Sequence, residues 1–371
     1  MIRTDRIRSI VLAAGVAAPF VLGASAAAAQ SDWKAEWDKT VAAAKQEGEV
    51  LIAATQNPIV RRVVEKLWPA AYPDIKLKPT VISGAWGRRV KEERAIGKFL
   101  WDVYLAGAAP YAYAVAQEVI DPLVPALILP DVKDPKTWGG WEAAFADRTD
   151  SRLLAFANFT GTIWYNADIV PKAEADRLAF KILLKPEYKG KIAWWDPRTG
   201  QGAGTTYAHL IYRVEGWDTL KKIVVDQESQ FFNDAQAATE AIVRGKAVFS
   251  IGANLDNRLQ QFRDAGLKLN IEPLGRTPQA AHLAYGGTSI GIMNKAPHPN
   301  AAKVFINWFL TKEVQSELLP QLRHNSRRVD LPVFTNEWIA AIPGKKYNEL
   351  QNERHVAERL EVTNKIKQLR P

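Results

Sequence analysis

The sequence predicts an α/β protein with two lobes, each an open mixed sheet flanked by helices, and a ligand cleft between them. Three observations predict this fold. Strand-like and helix-like segments alternate over residues 30–150, a second alternating set follows over residues 151–275, and a further extended stretch then leads into two late helices. Such alternation is typical of open sheets covered by helices. A chain of 371 residues, 47% of them hydrophobic, is long enough for two cores.

The first set begins with a helix. Trp33, Trp37 and Val41 recur at helical spacing, and Gly48 marks the predicted end. The next segments are predicted to form strand, helix, strand, helix and strand in turn: EVLIAAT, a helix after the Asn57-Pro58 turn, DIKLKPTVIS, GAWGRRVKEERAIGKF and WDVYLAG. We therefore predict that residues 30–150 form the first part of lobe 1.

The second set is predicted to form lobe 2, residues 151–275. Its segments in order are an extended stretch, a strand, a helix, a strand, a helix ended by Gly245 and a strand: RLLAFANFTGTIWYN, KGKIAWWDP, GAGTTYAHLIYRVEG, ESQFFN, DAQAATEAIVRG and KAVFSIGAN. The strand-like LAYGGTSIGIMNKA then returns the chain to lobe 1 over residues 276–371, which end in a predicted helix, NERHVAERLEVTNKIKQL. Lobes joined by more than one crossing can close over a ligand by hinge motion.

The late stretch NKAPHPNAAKVFINWFLTKEVQ predicts a pair of helices. Pro299 is tolerated in a first helical turn, and Ala301, Phe305 and Trp308 share one face. Thr311 can cap the second helix. The stretch contains no nucleophile, metal-ligand set or phosphate loop, so it predicts scaffold.

The N-terminus predicts export. Three arginines in the first eight residues precede an uncharged run, residues 9–29, which ends in Ala27, Ala28 and Ala29. This pattern predicts a signal peptide over residues 1–29, cleaved before Gln30. The run is long enough to be a membrane anchor instead. Its alanine content and Pro19 favour cleavage.

Composition excludes several kinds of chemistry. The chain has no cysteine, which removes disulfides, thiolate metal sites and cysteine nucleophiles. Its five histidines show no metal-ligand spacing. The formal charge of +9 comes from scattered basic residues, which favours a basic soluble surface over nucleic-acid binding.

Candidate ligand contacts lie in loops that follow strands, because ligands of open α/β sheets bind beyond the carboxyl ends of strands. An aromatic residue in such a loop, Trp86, could stack on a ligand, although core packing is the alternative. We predict these contacts: Thr55, Gln56, Ser83, Gly84, Trp86, Gly202, Gly204, Thr205, Thr206, Asn233, Asn254, Tyr285 and Arg323.

The loop TGQGAGTT carries the most informative of these candidates. Gly200, Gly202 and Gly204 would let the backbone approach a ligand, and Thr205 and Thr206 offer hydroxyls. Free amides at the start of the following helix would favour an anionic or polar group. The loop lacks the lysine of a P-loop, which disfavours nucleotides. The alternative is a loop that only caps the helix.

One pattern favours an enzyme. GTSIG matches the nucleophile elbow around Ser289, and Asp330 and His355 follow in a permissible order. Both flanks of Ser289 are extended, however, whereas an elbow needs a strand-to-helix turn. We therefore interpret Ser289 as a strand residue in a hinge crossing, with a secreted serine hydrolase as an alternative function.

Several segments, in this order, resemble the periplasmic solute-binding proteins of bacterial ABC importers, and most closely their ferric-iron and thiamine-like branch: AAAKQEGEVLIAATQ, WDVYL, IWYNADIV, PEYKGKIAWWDP, EAIVRGKAVFSIGA and APHPNAAKVFINWFLTKEVQ. The resemblance spans nearly all of the chain after residue 29. It implies the two-lobed, type II-like periplasmic binding protein fold, with the late helices packed on lobe 1.

The resemblance implies a function but no particular solute. The expected protein is a periplasmic, monomeric binding component without cofactor, metal or enzymatic activity, which delivers a small polar solute to a permease and its ATPase. Iron-binding relatives carry an adjacent tyrosine pair near SIGANLDNRLQQF, and this chain has none there, which leaves ferric iron with other ligands as an alternative. Arg198, Arg258 and Arg323 favour an anion, whereas Asp196, Asp234 and Trp86 would equally suit an amine. The glycine loop favours a small organic or phosphorus-containing anion.

Overall fold

The structure is a computed structural model that describes most of the chain. The described residues are 22–55, 57–82, 86–107, 116, 118–147, 151–161, 163–200, 202–253, 255–274, 282–284, 288–334 and 348–369. Residues 1–21, in which most of the predicted signal peptide falls, lie outside this part. No helix among the described residues is both long and apolar enough to cross a membrane.

Helices and strands alternate as the sequence predicts. The strands are β1 (Glu49–Ala54), β2 (Lys76–Val81), β3 (Val103–Ala106), β4 (Ile120–Asp121), β5 (Leu154–Ala155), β6 (Ala157–Gly161), β7 (Trp164–Asn166), β8 (Ile192–Trp195), β9 (Gln230–Phe232), β10 (Phe249–Ile251), β11 (Ile271–Pro273), β12 (His282–Ala284), β13 (Ser289–Met293) and β14 (Asn325–Ser326). The α-helices are α1 (Leu22–Glu47), α2 (Pro58–Ala71), α3 (Trp86–Ala95), α4 (Pro130–Lys133), α5 (Trp141–Ala144), α6 (Lys172–Leu178), α7 (Gly202–Val224), α8 (Ala235–Val243), α9 (Leu255–Asp264), α10 (Pro299–Phe309), α11 (Lys312–Leu322) and α12 (Val356–Leu369). Short 3-10 helices cover Val124–Ala126, Pro135–Trp138, Ala179–Leu184, Pro186–Tyr188, Pro197–Thr199 and Glu353–His355.

The first sheet has the order β2-β1-β3-β13-β4, with β5 also paired to β13. Strands β1, β2 and β3 are parallel, while β13 runs antiparallel to β3 and places Ser289 opposite Ala106. The late strand β13 therefore lies inside a sheet whose other strands come from the first part of the chain. This sheet and its helices form the first lobe, and its core includes Trp68, Phe305 and Phe309.

The second sheet has the order β11-β7-β10-β8-β9 and forms the second lobe. Strands β8, β9 and β10 are parallel, and β7 is antiparallel to β10. A separate core packs against it, with Tyr165, Trp194 and Tyr207 among its largest buried side chains. Two sheets with separate cores confirm the two-lobed α/β fold. The lobe boundaries in the sequence stay a prediction.

A small third sheet, β12-β6-β14, lies where the chain passes between the lobes. Strand β6 links β5 of the first sheet to β7 of the second, and β12 runs antiparallel beside it. Two crossings that lie side by side are the arrangement expected of a hinge.

The late helices pack on the first lobe, as predicted. Helix α10 contacts α1, and α11 contacts α2. The Glu47 carboxylate accepts hydrogen bonds from the backbone amides of Asn300 (3.1 Å) and Ala301 (2.7 Å), which satisfies free donors at the start of α10. Thr311 caps α11 by accepting a bond from the amide of Val314 at 3.4 Å.

Candidate functional site

The carboxyl ends of parallel strands form one edge on each sheet. On the first lobe, β1 ends before Thr55, whose amide donates to the carbonyl of Leu105 at 2.7 Å. On the second lobe, β8 leads to Asp196 and β9 to Asn233, and the ends of β8, β9 and β10 meet because these strands are parallel. These two edges are where an α/β fold binds its ligand.

The glycines of the TGQGAGTT loop serve packing inside the second lobe. A Cβ on Gly204 would lie 1.8 Å from the carbonyl oxygen of Trp195, and a Cβ on Gly202 would lie 2.4 Å from the Trp195 ring. A Cβ on Gly252, at the end of β10, would lie 2.7 Å from the Gly204 nitrogen. Close packing of the start of α7 against β8 and β10 therefore accounts for glycine at these positions.

The two threonines of the same loop are also directed into the lobe. Thr205 and Thr206 are each 1% exposed. The Thr205 hydroxyl donates to the carbonyl of Pro197 at 3.1 Å, and the Thr206 hydroxyl donates to the carbonyl of Gly202 at 3.1 Å. This geometry favours the interpretation of the loop as scaffold.

Replacing Thr205 by valine keeps the shape of the side chain and removes its hydroxyl. We expect Thr205→Val to lower the free energy of unfolding of the solute-free protein by about 1 kcal/mol, because the Pro197 carbonyl loses a buried donor. Affinity for a solute should be unchanged. Thermal melts beside calorimetric titration would measure both, and a loss of affinity with unchanged melting would contradict the scaffold role.

Arg258, on α9, presents a different environment. Its Nη1 donates to Gln236 Oε1 at 2.9 Å, and Gln236 lies in the first turn of α8. Its Nε is buried and has no hydrogen-bond partner in the part of the chain that the structure describes. Burial lowers the pKa of Arg258, and the charge of Asp234 partly opposes that shift. An unmatched buried donor on a cation is costly, and an anion beside it would remove that cost.

Arg258 lies near the start of α8, at the edge of the second sheet that the carboxyl ends of its parallel strands form. Asp234 is the N-cap of this helix, and its Oδ1 accepts from the amide of Ala237 at 2.8 Å. The amino end of a helix carries partial positive charge, which adds to the charge of the guanidinium. Arg258 was not among the predicted contacts, although it is one of the three arginines that the sequence analysis named in favour of an anion.

The other arginines considered for an anion have different surroundings. Arg198 donates from Nε to Asp196 Oδ1 at 3.0 Å and from Nη2 to Asp196 Oδ2 at 2.9 Å. Its guanidinium also lies 5.2 Å from the ring of Phe231. Arg323 ends α11 in the left-handed conformation, with φ of 55°. The negative charge beside Arg198 makes it a poor anion ligand.

Trp86 is a core residue in this structure. Its side chain is 2% exposed, and its ring centroid lies 4.9 Å from that of Tyr104. The structure therefore favours core packing, the alternative given for Trp86 above, over stacking on a ligand. Asn233 follows β9 at the ligand edge and stays a predicted contact. The remaining predicted contacts lie outside the described residues: Gln56, Ser83, Gly84, Asn254 and Tyr285.

The serine hydrolase alternative has no geometric support. Ser289 is 0% exposed and pairs with Ala106 on one side and Ala155 on the other, within a strand that continues to Met293. It belongs to the first sheet and not to the hinge crossing, which corrects our interpretation of this residue. Its supposed partners are engaged elsewhere: Asp330 accepts from Arg328 Nε at 3.0 Å, and His355 lies 4.0 Å from Glu358.

The buried histidines are structural. Burial lowers the pKa of His209, His282 and His324 to about 4 each, so all three are neutral at pH 7. His209 Nε2 lies 2.7 Å from Glu358 Oε2, which joins α7 to α12. No cluster of three or more histidine, aspartate or glutamate side chains suited to a metal ion occurs among the described residues.

Comparison with protein families and known proteins gives consistent results. Residues 70–322 match the family described as bacterial extracellular solute-binding protein. An uncharacterized protein of Haemophilus influenzae is 29% identical over 142 residues, which are 37% of this chain and 38% of that protein. The chain thus matches well under half the length of that curated relative.

Solved structures share the fold at low sequence identity. Iron-bound HitA from Pseudomonas aeruginosa has a TM-score of 0.61 at 14% identity, covering 86% of this chain and 99% of its own. AfuA from Actinobacillus pleuropneumoniae, with fructose-6-phosphate bound, has a TM-score of 0.59 at 17% identity, covering 86% and 97%. The substrate binding protein of an ABC transporter from Agrobacterium tumefaciens has a TM-score of 0.64 at 15% identity, covering 86% and 94%.

Proposed function

Because the chain belongs to the family of bacterial extracellular solute-binding proteins, we propose that it is the solute-binding component of an ABC importer and that its solute is a small organic or phosphorus-containing anion. The solute binds between the two lobes, at the carboxyl edges of their sheets. Binding and release, and no bond-making, are the chemistry of this protein.

Arg258 is the observation that supports an anion. Its buried Nε lacks a partner among the described residues, and it lies beside the amino end of α8. A carboxylate or phosphate oxygen at this position would accept a charge-assisted hydrogen bond and restore the pairing that the buried guanidinium lacks. An amine would instead meet like charge.

The structural neighbours differ in what they hold. HitA is described with iron and AfuA with fructose-6-phosphate. A phosphorylated or carboxylated organic solute fits the guanidinium of Arg258. Ferric iron fits less well, because residues 250–262 contain no tyrosine and the described residues contain no metal-binding cluster.

Location and partners follow from the same proposal. Export through the signal peptide of residues 1–29 would place the mature protein in the periplasm, where it meets its solute. A membrane permease and its ATPase would then receive the solute from a monomeric binding protein.

The experiment that tests the proposal has two stages. A thermal-shift screen of small carboxylates, phosphate esters, amines and ferric iron identifies a binder, since a ligand at 100 times its Kd stabilises by about 2.7 kcal/mol. Calorimetric titration of Arg258→Met should then show an affinity lower by about 1.5–3 kcal/mol, the range for a hydrogen bond to a charged group.

Two controls accompany this titration. Arg244→Met removes an exposed guanidinium of the same lobe, paired with Glu240 at 3.1 Å, and should leave affinity unchanged. Solute-free Arg258→Met should melt at or above the temperature of the parent protein, since the substitution removes a desolvated charge. An affinity of Arg258→Met equal to that of the parent protein would contradict the proposal of an anionic solute. A screen in which only amines or ferric iron bind would contradict it as well.

A further inference from the structure

A C-terminal segment, residues 348–356, runs between the two lobes and is called the strap below. It begins at the hinge, where the amide of Leu283 in β12 donates to the carbonyl of Asn348 at 2.9 Å. It ends in the first residue of α12, Val356. The strap is distinct from the two crossing segments that contain β6 and β12.

The strap contacts the first lobe at Ala146, at Glu142 and at a buried cluster. The amide of Glu353 donates to the carbonyl of Ala146 at 3.3 Å. Arg354 Nη2 lies 4.0 Å from Glu142 Oε1, with both side chains exposed. Val356 packs against the first-lobe cluster that contains Trp86 and Tyr104. The named contacts are each weak, because the ion pair is exposed and Val356 is only partly buried.

Helix α12 attaches the strap firmly to the second lobe. Glu358 Oε2 lies 2.7 Å from His209 Nε2 and 2.5 Å from Arg213 Nη1, both on α7. Val362 and Ile366 are buried in the second core. We therefore expect the strap to move with the second lobe, and its contacts with the first lobe to be the ones that are lost when the lobes move apart.

We propose that the strap is a latch that holds the lobes at the spacing seen here. Its weak side releases from Ala146, Glu142 and the core around Val356 when the lobes separate, while α12 stays on the second lobe. The latch biases the equilibrium between open and closed forms, because every contact on its weak side exists only when the lobes are at this spacing. It acts in addition to the hinge strands.

Distance measurement between spin labels tests this proposal on the full chain without any solute, so its outcome is independent of the proposed function. The natural chain has no cysteine, which lets Ile96→Cys on the first lobe and Ile169→Cys on the second be labelled specifically. Both side chains are well exposed, at 70% and 49%. In this background, the double substitution Arg354→Glu with Val356→Ala should shift the distances and broaden their distribution.

Matched variants identify the cause of such a shift. Glu142→Arg combined with Arg354→Glu keeps an opposite-charge pair and the natural Val356, and should show the distances of the parent protein. Arg244→Glu disrupts an exposed ion pair with Glu240 inside the second lobe and should change nothing. Parent-like distances in Arg354→Glu with Val356→Ala would overturn the latch, and so would an equal shift in Arg244→Glu. Val356→Ala alone, checked by its melting curve, keeps the test valid if the double variant fails to fold.

Discussion

Gly204→Ala is expected to lower the free energy of unfolding by at least about 3 kcal/mol, the upper range for an overpacked core. The new Cβ would lie 1.8 Å from the backbone oxygen of Trp195, and a backbone atom cannot move aside as a flexible side chain can. The helix propensity gained from alanine, about 1 kcal/mol, does not offset this collision. Helix α7 would have to move away from β8, and the Trp194 Nε1 bond to the Gly204 carbonyl, 3.0 Å, would stretch.

Chemical denaturation of Gly204→Ala beside Gly245→Ala would measure this effect. Gly245 has a φ of +68° and nothing within 4 Å of an added Cβ, so alanine there meets conformational strain without a collision. The free energy of unfolding of Gly245→Ala should be lower than that of the parent protein by about 1–2 kcal/mol. Equal losses in the two variants would show that the close approach of α7 to β8 does not limit position 204.

Acidification from pH 6.5 to pH 4 is expected to destabilise the protein through its buried histidines. Burial lowers the pKa of His282 and of His324 from 6.5 to about 4. Between these values the unfolded chain binds a proton on each imidazole and the native protein does not, so stability falls as pH decreases. The full shift corresponds to about 3 kcal/mol for each histidine, lost progressively below pH 6.5.

Urea denaturation at pH 7 and at pH 4.5 would measure this loss. In His282→Gln, the slope of unfolding free energy against pH should be smaller, because unfolding takes up as much as one proton fewer when this buried imidazole is absent. Above pH 7 neither imidazole should contribute a pH dependence. An unaltered slope in His282→Gln would show that this side chain is protonated in the native state as readily as in the unfolded chain.

Strand and helix order could be predicted because the hydrophobic pattern encodes it locally. The segment EVLIAAT became β1, KGKIAWWDP contains β8, and the late amphipathic pair became α10 and α11. Residues that share a helical face, such as Phe305 and Trp308, point to a core wherever that core lies. The extent of α7 was less predictable, since it resumes after a break at Gly216 and continues to Val224.

The candidate site was harder to predict than the fold, because it depends on contacts between residues that are distant in the sequence. A glycine can indicate that another group approaches the backbone closely, but the sequence does not identify that group. For Gly204 the protein neighbour is the Trp195 carbonyl. Trp86 follows a predicted strand end, as a ligand contact would, yet Tyr104 covers it. Burial of Arg258 depends on packing between α8 and α9, which no local pattern encodes.

The position of β13 bears on how this protein becomes native. Strand β13 lies between β3 and β4, so the sheet begun at residue 49 lacks an inner strand until residues 289–293 have been made. Pairing over such separations in sequence slows folding, because loop-closure entropy must be overcome before the contacts form. A newly synthesised chain therefore cannot complete its first lobe ahead of its second.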